Sequence, residues 1–459
     1  MTWLVIMINI SYIVFIINNI GMVKKTPEFI LKKIMQYIYS NELQNQYRMN
    51  DKDFTRNRKL KFPKILLFLM NRITKTLSIE IDNIIGVFNK DKKLKTDDHF
   101  TKSAFVQSRK KIDYKVFDVL SKKLTDEFYT DNTYKKWHKF RVLAVDGSLL
   151  TLPNTKELME VFGSNQPHTK EPIIQGRVSL LYDVLNGFVI DSTLQPLSRT
   201  ERDLAIDHIK HATPGDLILY DRGYPSFDMM YQHKKRDIDF LFRVQTNFNK
   251  ETKEFLNSTD KTKLIELSPS ITCLKEKGYT GDETIIVRMN KVVLPNGTVE
   301  ILISSLLDKD EYRNNIFKDL YFKRWNVEIF YNELKNKLKV GNFSGNSEQV
   351  ILQDFYSTIF VSNIQTLLIE EINDELKEQK GTKKYNYKVN NNVSYGILKN
   401  RIIEIFFTEQ EMSKTIFQIK ELLKKHTIPI RPNRKNERDT RKFDNRKRPK
   451  TLTNQRDAI

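Results

Sequence analysis

Arg141-Val-Leu-Ala-Val-Asp146-Gly-Ser148 marks the point where the chain changes texture. Basic, helix-patterned segments precede it. Arg141 to Val145 is instead a short run of strand-favouring side chains that meets a turn-favouring Asp-Gly-Ser. An apolar run without alternation fits a strand buried on both faces of a mixed sheet, and open sheets place their chemistry at the carboxyl ends of such strands. Further along, Val178 to Leu185 and Phe188 to Leu194 flank Asn186-Gly187, a dipeptide whose residues can both take positive φ in a tight hairpin. Helical spacing follows over Arg199 to His211 and closes at Pro214-Gly215. A second buried run, Leu217 to Tyr220, stops at Asp221-Arg222-Gly223-Tyr224-Pro225. A helix over Ser226 to Lys235 and a strand at Phe240 to Val244 come next.

Strand, hairpin of two strands, helix, strand, helix, strand is the connectivity of a ribonuclease H-like α/β core, expected over residues 141–244. From 245 to 308 the pattern is interrupted. Strand-like runs at Thr284 to Val293 and Thr298 to Leu306, around Asn296-Gly297, predict a β-rich insertion. Residues 309–345 then carry Tyr321-Phe-Lys-Arg324-Trp325-Asn-Val-Glu328-Ile-Phe-Tyr-Asn-Glu-Leu-Lys335, which has no Pro or Gly and predicts one amphipathic helix, with Asp308 or Asp310 as its cap. At about 100° per residue, the run from Tyr321 to Lys335 drifts only about 40° around the axis, so Tyr321, Arg324, Glu328 and Lys335 share a face.

Asp146 and Asp221 each close a buried strand, and Glu328 on a helix packed across that edge would bring three carboxylates together. Such a cluster repels itself unless cations fill it. Oxygen-only ligands suit Mg²⁺ or Mn²⁺. Two such ions can activate a water or a 3′ hydroxyl and stabilise the leaving oxygen of an in-line displacement at a phosphodiester. Arg324, Lys335 and Tyr321 would hold non-reacting phosphates. Each piece also has a purely structural reading: an Asp after a strand serves turns and caps, Arg222 serves the turn, and Trp325 beside Arg324 packs in a core instead of stacking on a base. His208 and His211, three apart on a helix, lack an evident third ligand for zinc.

The 459 residues suffice for two or three domains, and the net charge of +20 points to a polyanion, of which nucleic acid is the commonest large one. A single cysteine, Cys273, excludes an intramolecular disulfide and a Cys-rich zinc site and fits a reducing, cytoplasmic setting. Residues 1–23 are nearly uncharged and long enough to cross a bilayer, but the rest of the chain is not membranous; the expectation is a dispensable extension, with Met22 as the working start. Residues 24–140 are helical and basic, and read equally as a DNA-binding region or as a helical cap with a solvated face. Residues 346–427 form a helical C-terminal region, and 428–459 a disordered basic tail.

Asp146-Gly-Ser, Tyr220-Asp221-Arg222-Gly223-Tyr224, and the series Tyr321, Arg324, Glu328, Lys335 at those spacings resemble the cut-and-paste DDE transposases of the insertion-sequence-four family over residues 141–340. The resemblance implies a ribonuclease H-like catalytic domain interrupted by a β-rich insertion, with Asp146, Asp221 and Glu328 as metal ligands for Mg²⁺ or Mn²⁺. It also implies Tyr321, Arg324 and Lys335 on terminal phosphates of double-stranded DNA, a homodimer in the synaptic complex, and excision through hairpinned ends. Arg222 and Trp325 are further DNA-contact candidates. One departure concerns the hairpin: some members stack a flipped base on a Trp of the insertion, whereas this chain has only Trp3, Trp137 and Trp325, so either Tyr279 substitutes or hairpin formation uses another contact. Two other functions compete with a transposase: a ribonuclease H-type nuclease that cuts without strand transfer, and a decayed or domesticated copy that only binds DNA.

Overall fold

A computed structural model describes residues 25–89, 99–165, 172–294, 296–378, 384–399, 401–407 and 409–431. The N-terminal extension (1–23) and the tail beyond residue 431 lie outside the described residues. Two compact units are present: a helical one, formed by residues up to Tyr134 and from Lys337 onward, and a sheet-containing one, Lys135–Asn336. Among the described residues no helix is long and apolar enough to cross a membrane.

In the helical unit, α1 (Pro27–Ile38), α2 (Asn41–Tyr47), α3 (Phe62–Met70), α4 (Leu77–Asn89), α5 (Lys102–Arg109) and α6 (Lys115–Tyr129) precede the sheet. Thr26 and Thr101 cap α1 and α5 through their hydroxyls, satisfying N–H groups that the first turn leaves free. The apolar face of α1, with Ile30, Leu31, Ile34 and Ile38, is fully buried.

The sheet unit follows in the order β1 (Arg141–Thr151), α7 (Lys156–Phe162), β2 (Ser164–Asn165), β3 (Ile173–Asp183), β4 (Val189–Gln195), α8 (Glu201–Ile209), β5 (Asp216–Tyr220), α9 (Phe227–Lys235) and β6 (Asp239–Val244). The central strands lie in the order β4-β3-β1-β5-β6. β3 is antiparallel to both β1 and β4, while β5 and β6 run parallel to β1. A three-strand antiparallel meander extended by two parallel strands through helical crossovers is the ribonuclease H-like arrangement. Val142 to Val145 and Leu217 to Tyr220 are buried on both faces, as uninterrupted apolar runs require.

Several features differ from the sequence expectation. β1 does not stop at Asp146-Gly-Ser: its antiparallel pairing with β3 continues to Thr151, because β3 is long enough to partner it, and only the parallel pairing with β5 ends at Ala144. At Asn186-Gly187 only Gly187 has positive φ. Asn186 instead buries its amide, which bonds to Asp183 and to the Lys135 backbone, so the connection is a wider turn held by a side chain. The β-rich insertion contains α10 (Lys250–Asn257), β7 (Thr262–Leu267), α11 (Ile271–Lys277), β8 (Ile285–Val293) and β9 (Val299–Ser304), and β9 pairs antiparallel with β6, so it extends the core sheet.

The segment read as one helix is subdivided: α12 (Ile316–Phe322), α13 (Trp325–Asn332) and a π-helical turn, Glu333–Lys337. Lys323 and Arg324 keep right-handed helical angles, and i→i−3 bonds from Lys323, Arg324, Asn326 and Val327 tighten the chain there without ending it. Beyond it, the helical unit is completed by the 31-residue α14 (Glu348–Glu378), α15 (Asn391–Leu398), α16 (Arg401–Phe407), α17 (Glu409–Lys425) and a ribbon of β10 (Tyr387–Val389) with β11 (Thr427–Pro429). Arg109, within the basic 24–140 region, is buried here: it bonds Gln353 at 2.9 Å and Asp354 at 3.1 Å on α14.

Candidate active site

Strand register brings two of the candidate carboxylates together. β1 and β5 pair from Arg141 with Asp216 to Ala144 with Leu219. Asp146 and Asp221 each follow that last pair by two residues, past the end of the parallel pairing, so both stand at the same end of two neighbouring strands. At the other end of these strands Arg141 and Asp216 form a buried two-bond ion pair, 2.7 and 2.6 Å, that fixes the register.

Helical residues then cross the strand ends. Tyr321 Oη donates to Asp221 Oδ1 at 3.1 Å. Tyr331 Oη donates to the Asp146 carbonyl at 2.8 Å. Lys335 Nζ donates to Ser148 Oγ at 2.6 Å and to the Leu149 carbonyl at 2.9 Å. Glu328 lies between these contacts in sequence, and its Oε1 accepts from Arg324 Nη2 at 2.7 Å. The face carrying Tyr321, Arg324, Glu328 and Lys335 is therefore applied to the ends of β1 and β5.

The two aspartates have opposite electrostatic settings. Burial pushes Asp146 up to about 6; Arg324 and the Gly147 N–H pull it down, while Glu328 and Glu201 push it further up. Burial also opposes the charge on Asp221, but the Arg222 N–H at 2.7 Å, Arg243 and Arg324 outweigh it and hold that carboxyl below the usual range. Arg243 reaches Asp221 at 2.6 Å and Glu300 at 2.6 Å. Arg324 is 1% exposed and sits 5.7 Å from the Tyr321 ring centre and 5.3 Å from that of Trp325. Burial disfavours its charge, yet Tyr321, Glu328 and Asp221 together keep its proton more tightly held than in free arginine.

Among the described residues no three His, Cys, Asp or Glu side chains are grouped closely enough to hold one ion. Arg243 and Arg324 hold the Asp221 and Glu328 carboxylates as ion pairs instead. The donor chemistry nonetheless suits a hard divalent cation: the three candidates are all carboxylates, and Asp146 resists ionisation in a place where a cation would reverse that preference.

The other candidates divide. Arg222 has an exposed side chain and contributes its backbone N–H to Asp221. Trp325 is half-buried beside Arg324. Tyr279 donates to Asp228 at 2.6 Å and meets Phe227 and Tyr231 edge-on, so it is engaged with α9. His208 is buried with both ring nitrogens in use, 2.6 Å from Asp191 and 3.0 Å from Ser179, which leaves no lone pair for zinc.

Sequence reasoning missed Arg243, Glu201 and Tyr331. A lone Arg in the apolar run Phe240-Leu-Phe-Arg243-Val was the available signal; Tyr220 pairs with Phe242 on the adjacent parallel strand, and Arg243, one residue further on, reaches Asp221. Glu201 follows the Thr200 capping residue of α8, pairs with Arg177 at 2.9 Å, and packs against Gly147, where an added Cβ would stand 3.1 Å from its Cδ. Gly147 thus gives a fourth carboxylate its approach to β1. Tyr331 was read only as an apolar helix position.

Residues 137–364 match the family model of the transposase DDE domain. The transposase InsG of insertion sequence element IS4 from Escherichia coli K12 is 20% identical over 279 residues, covering 60% of this chain and 62% of that protein. The transposase of insertion sequence element IS231F from Bacillus thuringiensis subsp. israelensis is 19% identical, covering 57% of this chain and 65% of its own length. The chain therefore spans less than two thirds of the length of the curated relatives it matches. Among solved structures, a piggyBac transposase synaptic complex with hairpin DNA aligns over 86% of this chain and 81% of that one, at 10% identity and a TM-score of 0.42. The strand order, not that likeness, carries the fold. Through residues 137–364, the chain belongs to the DDE-domain transposases of insertion sequences.

Proposed function

We propose that this chain is a cut-and-paste transposase that binds the terminal inverted repeats of its element and catalyses DNA cleavage and strand transfer. The observation that carries the reading is that Asp146 and Asp221 follow the last pair of adjacent parallel strands at the same end, with helical residues flanking Glu328 bonded to those strand ends. Two Mg²⁺ or Mn²⁺ ions held by Asp146, Asp221 and Glu328 would supply activation of a water or 3′ hydroxyl and stabilisation of the leaving oxygen.

The chain's own residues prepare that site. Arg243 and Tyr321 fix the Asp221 carboxylate, and Arg324 fixes Glu328. Because Tyr321 and Arg324 are buried, their first role is to orient carboxylates. Lys335, which bonds Ser148 on β1, and the exposed Arg222 would meet strand phosphates, and Trp325, beside Arg324, would be a further DNA contact. The partners are double-stranded DNA, as element ends and as target, and a second copy of the chain in the synaptic complex; the setting is the cytoplasm, at the nucleoid.

Incubating purified protein with DNA carrying the element's ends, Mg²⁺ and a target plasmid tests this reading. Joined products are the expected result. Cleavage without joining would reassign the chain as a nuclease, and a gel shift without cleavage would reassign it as a DNA-binding descendant.

A further inference from the structure

The helical unit encloses a cavity of about 350 Å³ whose lining comes entirely from that unit: residues 69–75 at the end of α3, the stretch from Lys337 to Asn342, α14 between Asp354 and Val361, and α15 with the start of α16. Five lining side chains are cationic, Arg72, Lys75, Lys337, Lys339 and Lys399, against one carboxylate, Asp354. Asp354 is already committed, accepting from Arg109 at 3.1 Å and from Ser344 Oγ at 2.8 Å. Lys399 is answered by Glu80 at 2.8 Å.

Arg72 is in a different position. Its backbone N–H bonds the Leu69 carbonyl, but among the described residues its guanidinium has no hydrogen-bonding partner; only the charges of Tyr395 and Asp354 act on it. Burial draws it down to about 10. Its φ is +56°, and that of Lys339 is +45°, so two of the six described non-glycine residues with positive φ line this one cavity. Such angles cost energy for residues with a Cβ, and here they present cations at the cavity wall where a glycine would serve the chain turn more cheaply. A sheltered cation without a carboxylate partner is costly until an anion answers it, and the guanidinium fork suits two oxygens of one phosphate. The remaining wall mixes polar residues, such as Thr74, Ser357 and Asn392, with an apolar part that includes Ile73, Tyr395 and Ile402, and the volume falls at the small end of ligand sites, about 300 to 1,000 Å³.

We propose that this cavity binds one phosphorylated nucleotide unit, its phosphate on Arg72 and its sugar and base against Ile73, Tyr395 and Ile402, and that the unit belongs to a bound DNA strand. The inference does not depend on the carboxylate chemistry of the sheet unit, so either reading can fail alone.

Thermal melting of the full chain, at matched ionic strength, with chloride, inorganic phosphate, deoxyadenosine 5′-monophosphate or a short single-stranded deoxyoligonucleotide tests the proposal. The mononucleotide should raise the midpoint saturably and more than phosphate does, and the oligonucleotide should act at a lower concentration than the mononucleotide. Arg72→Met should weaken both by about tenfold, and Asn392→Glu, at an exposed lining position, several-fold through charge repulsion. Glu328→Gln should leave the responses unchanged. No saturable shift with any probe, or shifts that persist undiminished in both cavity variants, overturns the proposal. A mononucleotide as effective as the oligonucleotide overturns the DNA-strand source, and phosphate as effective as the mononucleotide overturns the sugar and base contacts.

Discussion

Asp146 and Asp221 are the same residue type, at the same end of neighbouring strands, and yet the protein treats them in opposite ways. The end of β5 surrounds its carboxylate with donors: Arg243, the Arg222 N–H and Tyr321. Asp146 on β1 is half-buried, and its burial, with Glu328 and Glu201 behind it, outweighs the pull of Arg324 and the Gly147 N–H. One strand end is neutralised by the fold itself, whereas at the other these two groups do not outweigh burial, so the carboxyl stays raised until a proton or a cation answers it. Two chemically identical carboxylates can thus differ in what surrounds them.

Replacing the carboxylates should give the largest effects. Glu328→Gln, Asp221→Asn and Asp146→Asn are each expected to lower Mg²⁺-dependent end cleavage by about a thousandfold or more while leaving gel-shift affinity for the ends nearly unchanged. Cleavage retained in Asp146→Asn would break the comparison outright. Next comes Arg243→Met, which removes the built-in partner of Asp221; cleavage should drop by about ten- to a hundredfold, with a higher Mg²⁺ requirement in a metal titration. An equal loss from a substitution remote from Asp221 would deny Arg243 this role.

Acid–base behaviour sharpens the contrast with a smaller effect. The folded state binds the Asp146 proton more tightly than the unfolded chain does, so its contribution to stability is complete below the ordinary aspartate range, about pH 4, and is lost as pH rises through about 6. Asp221 has the reverse sign: its contribution is present above the unfolded value and is lost on acidification. Urea midpoints measured without metal between pH 4.5 and 7.5 should therefore lose a downward component with rising pH in Asp146→Asn, by about 1 to 2 kcal/mol across the window. The smallest effect should come from deleting residues 428–459, which is expected to lower the dependence of non-specific DNA affinity on salt; an unchanged slope assigns the tail to solubility alone.

Much of this site was legible because its determinants are local. Buried strands at Arg141 to Val145 and Leu217 to Tyr220 follow from apolar runs, and the shared face of Tyr321, Arg324, Glu328 and Lys335 from helical spacing. What could not be read is pairing at a distance. The continuation of β1 to Thr151 depends on the length of β3, and the ion pair between Arg243 and Asp221 depends on the register of β5 with β6. Asn186 looked like a turn former by type, but it acts as a buried side-chain brace. Arg109 and Arg324 show the same difficulty for charge: a basic side chain reads as a DNA contact in sequence, and only packing reveals that each is enclosed and answered by a carboxylate.

The π-helical turn at Glu333–Lys337 has a consequence for how the spacing between Glu328 and Lys335 is understood. A widened coil takes up one residue more than an α turn, so positions beyond Asn332 no longer repeat every 3.6 residues. Lys335 nevertheless meets Ser148 and Leu149. The six residues between the acid and the ammonium thus act as a ruler cut to one particular coil, and shortening it by a single residue would swing the ammonium away from β1 even if every side chain named above were kept.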